Sequence, residues 1–161
     1  MSAHDEMIDR DATSVSRHRL RVGWLYALAA LLALAGLADA LYLTVEHLTG
    51  RSVRCIVTTG CSEVLSSAYA TIGGVPLAAF GAAAYFTAFS LATLAAFDYA
   101  SARAPLALLV AVMFVFSLWL LYVQAFVLHA FCQYCLLSAL VTTLLAVILI
   151  IIHQLRRREL L

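Results

Sequence analysis

Residues 136–152 read Leu-Leu-Ser-Ala-Leu-Val-Thr-Thr-Leu-Leu-Ala-Val-Ile-Leu-Ile-Ile-Ile, without a single charge. At 1.5 Å rise per residue, a helix of this length comes close to the thickness of a bilayer's hydrocarbon core. Cys132-Gln133-Tyr134-Cys135 directly precedes the run, and Arg156-Arg157-Arg158 follows it. One membrane helix thus carries a sulfur pair at one end and a cationic cluster at the other. Working outward, apolar runs recur at 22–43, 76–97 and 105–128, so the sequence predicts four crossings and both termini on one side.

Of the 161 residues, 65% are hydrophobic and only 12% are charged. Apolar runs of this length have no place inside one small soluble core, which excludes a disordered chain, a nucleic-acid binder and a soluble globular enzyme. The expected class is all-α, an integral membrane four-helix bundle with an outer loop carrying a short interfacial helix. Its parts are a disordered cytoplasmic tail at 1–21, the catalytic bundle at 22–155 and a basic cytoplasmic end at 156–161. Ala38-Asp39-Ala40 looks like a signal-peptidase site, but the apolar run around it exceeds a signal segment, so the first helix is read as retained.

Arginine sets the expected orientation. Eight of the ten arginines fall at 10–21, 103 and 156–158, and only Arg51 and Arg54 fall on the opposite side. By the positive-inside rule both termini are cytoplasmic, and all four cysteines face outward. In the outer loop Gly50 suits a helix C-cap, Thr58-Thr59-Gly60 a turn, and 62–70 one or two helical turns, which Gly73-Gly74 and Pro76 end.

The cysteines form two pairs, Cys55 with Cys61 and Cys132 with Cys135. In a first helical turn, i and i+3 sulfurs come within disulfide distance, and the exposed amides and positive dipole end stabilise a thiolate. Around Gly60 the first pair reads as a flexible turn able to swing toward the second. Disulfide exchange runs by thiolate attack through a mixed disulfide, so electrons move inward only if an outer sulfur reaches an inner one. Cys61 and Cys132 are the expected contact. Cys135, one turn deeper, faces a lipid-dissolved acceptor, and a quinone, menaquinone or ubiquinone, takes the two electrons one dithiol supplies.

Rival readings of the four sulfurs are a zinc site, disfavoured by the wide Cys-x5-Cys spacing, and a non-catalytic membrane scaffold braced by two static disulfides. Asp39 lies inside the first span, where a charge costs roughly 2.5–3.5 kcal/mol near mid-bilayer, so proton transfer or a helix-helix hydrogen bond is expected of it. His129, three residues before Cys132, is a further proton-transfer candidate. Gln124, Thr87 and Ser117 read as interhelical hydrogen-bonders.

Cys55, the run Cys61-Ser62-Glu63-Val64-Leu65-Ser66-Ser67, Gly74-Val75-Pro76 and Phe131-Cys132-Gln133-Tyr134-Cys135 together resemble bacterial homologues of vitamin K epoxide reductase, a family of four-helix membrane thiol oxidoreductases. The resemblance extends from the first span to the fourth. The other quinone-linked disulfide-generating family carries its Cys-x-x-Cys pair in the first outer loop, the reverse of this order.

The resemblance implies a quinone beside Cys132 and Cys135, with Cys135 facing it and Cys132 exchanging with Cys61, while Cys55 meets the external partner. It also implies that Ser66 and Ser67 belong to a helix capping the site and that Leu65 and Phe80 line the quinone pocket. Where the animal enzymes hold vitamin K with an asparagine and a tyrosine, this chain has Leu77 and Ala139, so epoxide reduction is the alternative activity rather than the expected one. No thioredoxin-like domain follows Arg158, so the expected partner is a separate thioredoxin-fold protein of the DsbA type in the periplasm. The implied activity is a quinone-dependent oxidoreductase of the inner membrane that supports disulfide bond formation.

Overall fold

Helix boundaries follow the distribution of breakers. The chain has only two prolines, Pro76 and Pro105, and neither interrupts a helix interior. In the computed structural model, which describes residues 3–50 and 60–159, Pro76 is the N-cap of one helix and Pro105 lies in the first turn of the next. Proline is tolerated there because those N–H groups have no intrahelical partner in any case.

The first helix, α1, runs Ala3–Leu48. It therefore continues through the segment expected as a disordered tail, where neither Gly nor Pro occurs before Gly23 to stop it. Gly50 closes α1 in the left-handed conformation with φ +66°, as a C-terminal glycine should. After the loop come α2 (Cys61–Leu65), a 3-10 turn (Ala68–Ala70) and a two-stranded hairpin, β1 (Thr71–Ile72) and β2 (Val75–Pro76). Thr71 faces Pro76 and Ile72 faces Val75, and Gly73 and Gly74, both at positive φ, form the two-residue turn between them.

Three further long helices complete the bundle: α3 (Leu77–Ala96), α4 (Arg103–Tyr122) and α5 (Gln133–Glu159). A 3-10 turn (Ala100–Ala102) links α3 to α4, and an ion pair between Arg103 and Asp98 spans that turn. A π-helical segment (Val123–Leu128) extends α4. Among the described residues four helices are long and apolar enough to cross a membrane. Trp24, Phe86, Leu108 and Phe126 project outward from them, an apolar exterior matched to lipid rather than water.

Alanine fills the seam between α1 and α3: Ala29, Ala33, Ala88 and Ala92 are buried there. Lipid provides no hydrophobic drive for helix association, so small residues that allow close backbone approach do that work. Gly36 illustrates it, because a β-carbon there would fall 2.4 Å from the ring of Tyr85. The Tyr85 hydroxyl in turn joins α3 to α5 through Ser138 Oγ at 2.8 Å and Thr142 Oγ1 at 2.9 Å. Thr87, expected to bond between helices, instead donates to Ala83 O of its own helix at 2.8 Å, the default for a helical threonine without a polar neighbour.

Candidate functional site: a cysteine pair between a buried sulfur and an apolar cavity

Cys132 immediately precedes α5, at the N-cap position, and its carbonyl accepts the Leu136 N–H at 3.0 Å to close the first turn. Cys135 sits on that first turn. The thiol of Cys135 donates to the Cys132 sulfur, and the backbone N–H groups of Cys135 and Tyr134 point to it as well. These donors favour the thiolate and outweigh its burial, lowering the Cys132 thiol from about 9 to about 7. The pair is present as two free thiols.

A second anchor comes from the π-helical segment. Gln124 is buried, and its Oε1 accepts the Cys132 N–H at 3.0 Å, satisfying a donor that a helix start otherwise leaves unpaired. The turn ends at His129, whose φ of +51° puts it in the left-handed region. His129 is exposed and does not line the cavity described below; what it visibly does is end the helix and return the chain toward α5.

Cys61 begins α2 and is disulfide-bonded. It is 1% exposed and Cys132 is fully buried, and the two belong to one cluster with Val64 and Ala130. Gly60 makes that proximity possible. A β-carbon on it would lie 2.8 Å from Phe131 N and 2.9 Å from Ala130 Cβ, so α2 rests backbone to backbone on the loop before α5. Gly60 itself is buried, at a position where any side chain would push the two cysteine-bearing segments apart, while the rest of the turn expected to swing lies outside the described residues. Cys55 and Thr58-Thr59 lie outside the described residues.

On the other side of the pair is a cavity of about 390 Å³, within the size range of small-molecule sites. Cys135 lines it, together with Leu65, Ser67, Phe80 and Asp39, whereas Cys132 and Ser66 do not. Ser66 is exposed, with its hydroxyl turned back to Glu63 O at 3.4 Å. Leu77 also reaches the cavity, while Ala139 is buried elsewhere. The walls are mainly apolar, with Leu109, Val112, Met113 and Phe116 contributed by α4. A flat, largely apolar ring fits such walls, and Ser117, Ser138 and Thr142 add hydroxyls to the lining.

Two polar wall residues that the sequence does not single out are Tyr85 and His47. Tyr85 showed only as one more aromatic in an apolar run, and nothing in its local pattern marks a partner 53 residues away. His47 also lines the cavity. Its signal was present, because Asp39, Leu43 and His47 follow one another at i, i+4 and i+8 and therefore share a helix face.

No curated protein matches the chain. The vitamin K epoxide reductase family signature matches residues 27–150, from within α1 to within α5 and including all four cysteines, and the chain belongs to that family.

Proposed function

We propose that the protein is a quinone-dependent membrane thiol oxidoreductase that reoxidises a separate thioredoxin-fold protein and so supports disulfide bond formation. The observation that carries this reading is the division of labour within one pair: Cys132 is buried in one cluster with Cys61, while Cys135 lines an apolar cavity. The partner dithiol reduces a Cys55–Cys61 disulfide and is itself oxidised. The resulting Cys61 thiolate attacks Cys132 of an inner disulfide, and Cys55 resolves the mixed disulfide, leaving Cys132 and Cys135 reduced. A quinone bound in the cavity would accept that pair's two electrons with two protons.

Membership in the family supports an oxidoreductase, and the free Cys132 and Cys135 suit a cycling pair better than a static brace. Arginine asymmetry supports an outward-facing site with both termini cytoplasmic. Replacing Cys135 by Ala tests the reading. It should abolish quinone reduction, because no inner disulfide can form, and the Cys132 thiolate should attack Cys61 of the outer disulfide, releasing the Cys55 thiol and accumulating a Cys61–Cys132 mixed disulfide that no Cys135 thiol remains to open. A variant that keeps its function and traps no such bridge would instead fit a scaffold.

A further inference from the structure

Reducing a quinone by two electrons takes up two protons, and the wall of this cavity has few groups able to give one. Among the described residues Asp39 is the one carboxyl group on that wall. It lies nine residues before the end of α1, roughly 14 Å along the helix from Leu48. Gly36 and Ala40, on the adjoining face, hold α1 against Tyr85 and Gly81 of α3, which leaves Asp39 directed at the cavity. Its Oδ2 is buried with no hydrogen-bond partner.

An ionised carboxylate with a bare oxygen in apolar surroundings is costly, whereas a carboxylic acid is not. The titratable groups around it do not compensate. Tyr85 from α3 has its hydroxyl committed to Ser138 and Thr142, Cys132 and Cys135 of the α5 side offer no positive charge, and His47 is two turns away on the same face of α1. Among the described residues no arginine lines this cavity.

We propose that Asp39 is the proton-donating residue of the quinone site, holding in the resting enzyme the proton that the inner cysteine pair lacks. This rests on the function proposed above. When the Cys135 thiol and the two backbone amides hold Cys132 as a thiolate, the pair brings two electrons but only the Cys135 proton. As the Cys132–Cys135 bond forms, the electron pair leaves for the quinone. One proton departs from the Cys135 thiol and the other from the Asp39 carboxyl, which becomes a carboxylate. The net charge of minus one is the same before and after. Water at the outer end of the cavity, where His47 stands, then returns a proton to Asp39.

The test uses the full-length protein in lipid nanodiscs with a short-chain ubiquinone. Asp39→Asn should lower quinone reduction by about 10²–10⁴-fold, the usual loss for a general acid, while Asp39→Glu retains most of it. The reduced Cys132–Cys135 pair should accumulate in the Asn variant, because exchange with Cys61 does not need the carboxyl. Independently of turnover, the infrared spectrum of the reduced wild-type protein should contain a carboxylic-acid C=O band that Asp39→Asn removes.

The proposal is overturned if the band is absent, if the Asn variant turns over at the wild-type rate, or if it also fails to reduce its inner pair, which would mark a merely structural role. Should the wild-type protein itself never pass electrons to the quinone, the functional reading falls with it. An active wild-type protein with an equally active Asn variant removes only the assignment of Asp39.

Discussion

Gly60→Ala perturbs the account at its narrowest point. The added β-carbon would stand 2.8 Å from Phe131 N, 2.9 Å from Ala130 Cβ and 3.1 Å from Phe131 O, against 3.4 Å for ordinary contact. Two of these three atoms are backbone and cannot rotate away, so the loop before α5 and the start of α2 must separate by about 0.6 Å, the difference between 3.4 and 2.8 Å. Overpacking of this kind costs about 1–3 kcal/mol of stability. Its sharper effect falls on chemistry, since a displacement of 1 Å costs up to about 10²-fold in rate and 0.6 Å therefore on the order of 10-fold.

The assay is the rate at which a Cys61–Cys132 mixed disulfide forms in a Cys135→Ala background, read by gel shift after acid quenching. Exchange should slow by that factor while quinone still binds, since Gly60 does not line the cavity. Unchanged exchange in a folded Gly60→Ala protein would refute the claim that close backbone approach holds the two sulfurs together.

Alkylation of Cys132 in the reduced protein should rise through a midpoint near pH 7, and Cys135→Ala should move that midpoint upward because it removes the thiol donor; Cys135→Ser, which keeps a donor, should move it less. With the folded value lowered from about 9, the thiolate's contribution to stability is complete above pH 9 and disappears as pH falls through 7, a dependence that denaturation of the reduced protein across that window measures. Gln124→Leu leaves the buried Cys132 N–H unpaired and should cost about 1–3 kcal/mol by thermal unfolding. Tyr85→Phe removes the hydroxyl that bridges Ser138 and Thr142, for about 0.5–1.5 kcal/mol per bond lost; intact stability in that variant would deny the bridge its role.

Much of this architecture could be read from composition. Uninterrupted apolar runs announce membrane helices because a helix satisfies its whole backbone within one segment, and the two prolines and Gly50 stand at helix ends, where their backbone constraints are useful. Cys132 and Cys135 were legible for the same local reason, three-residue spacing at a helix start. The hairpin at 71–76 has a local signal too, since Gly-Gly between short runs is a two-residue turn, but the same glycines with Pro76 also suit the end of one helix and the start of the next.

What the sequence hides is contact across distance. Gly60 reads as a flexible turn because its neighbours Ala130 and Phe131 are some seventy positions away, and only the fold shows that its missing β-carbon matters more than its freedom. Tyr85 is silent for the same reason. Gln124 was read as a bond between helices, but it holds the backbone of a loop eight residues on, a connection the π-helical segment permits. His129 drew a chemical reading through nearness to Cys132 in sequence, and in space it is an exposed left-handed cap.

The central claim is that electrons pass from an outer sulfur pair to an inner one and on to a quinone. Mass-spectrometric mapping of the cysteine bridges, before and after a short-chain quinone is added to the reduced protein, tests it most directly. The account predicts that the Cys132–Cys135 bridge forms in step with quinol production, and that a later addition of a dithiol partner opens it again by way of Cys61. Bridges that stay the same throughout, with every thiol still reduced while the quinone remains oxidised, would contradict it.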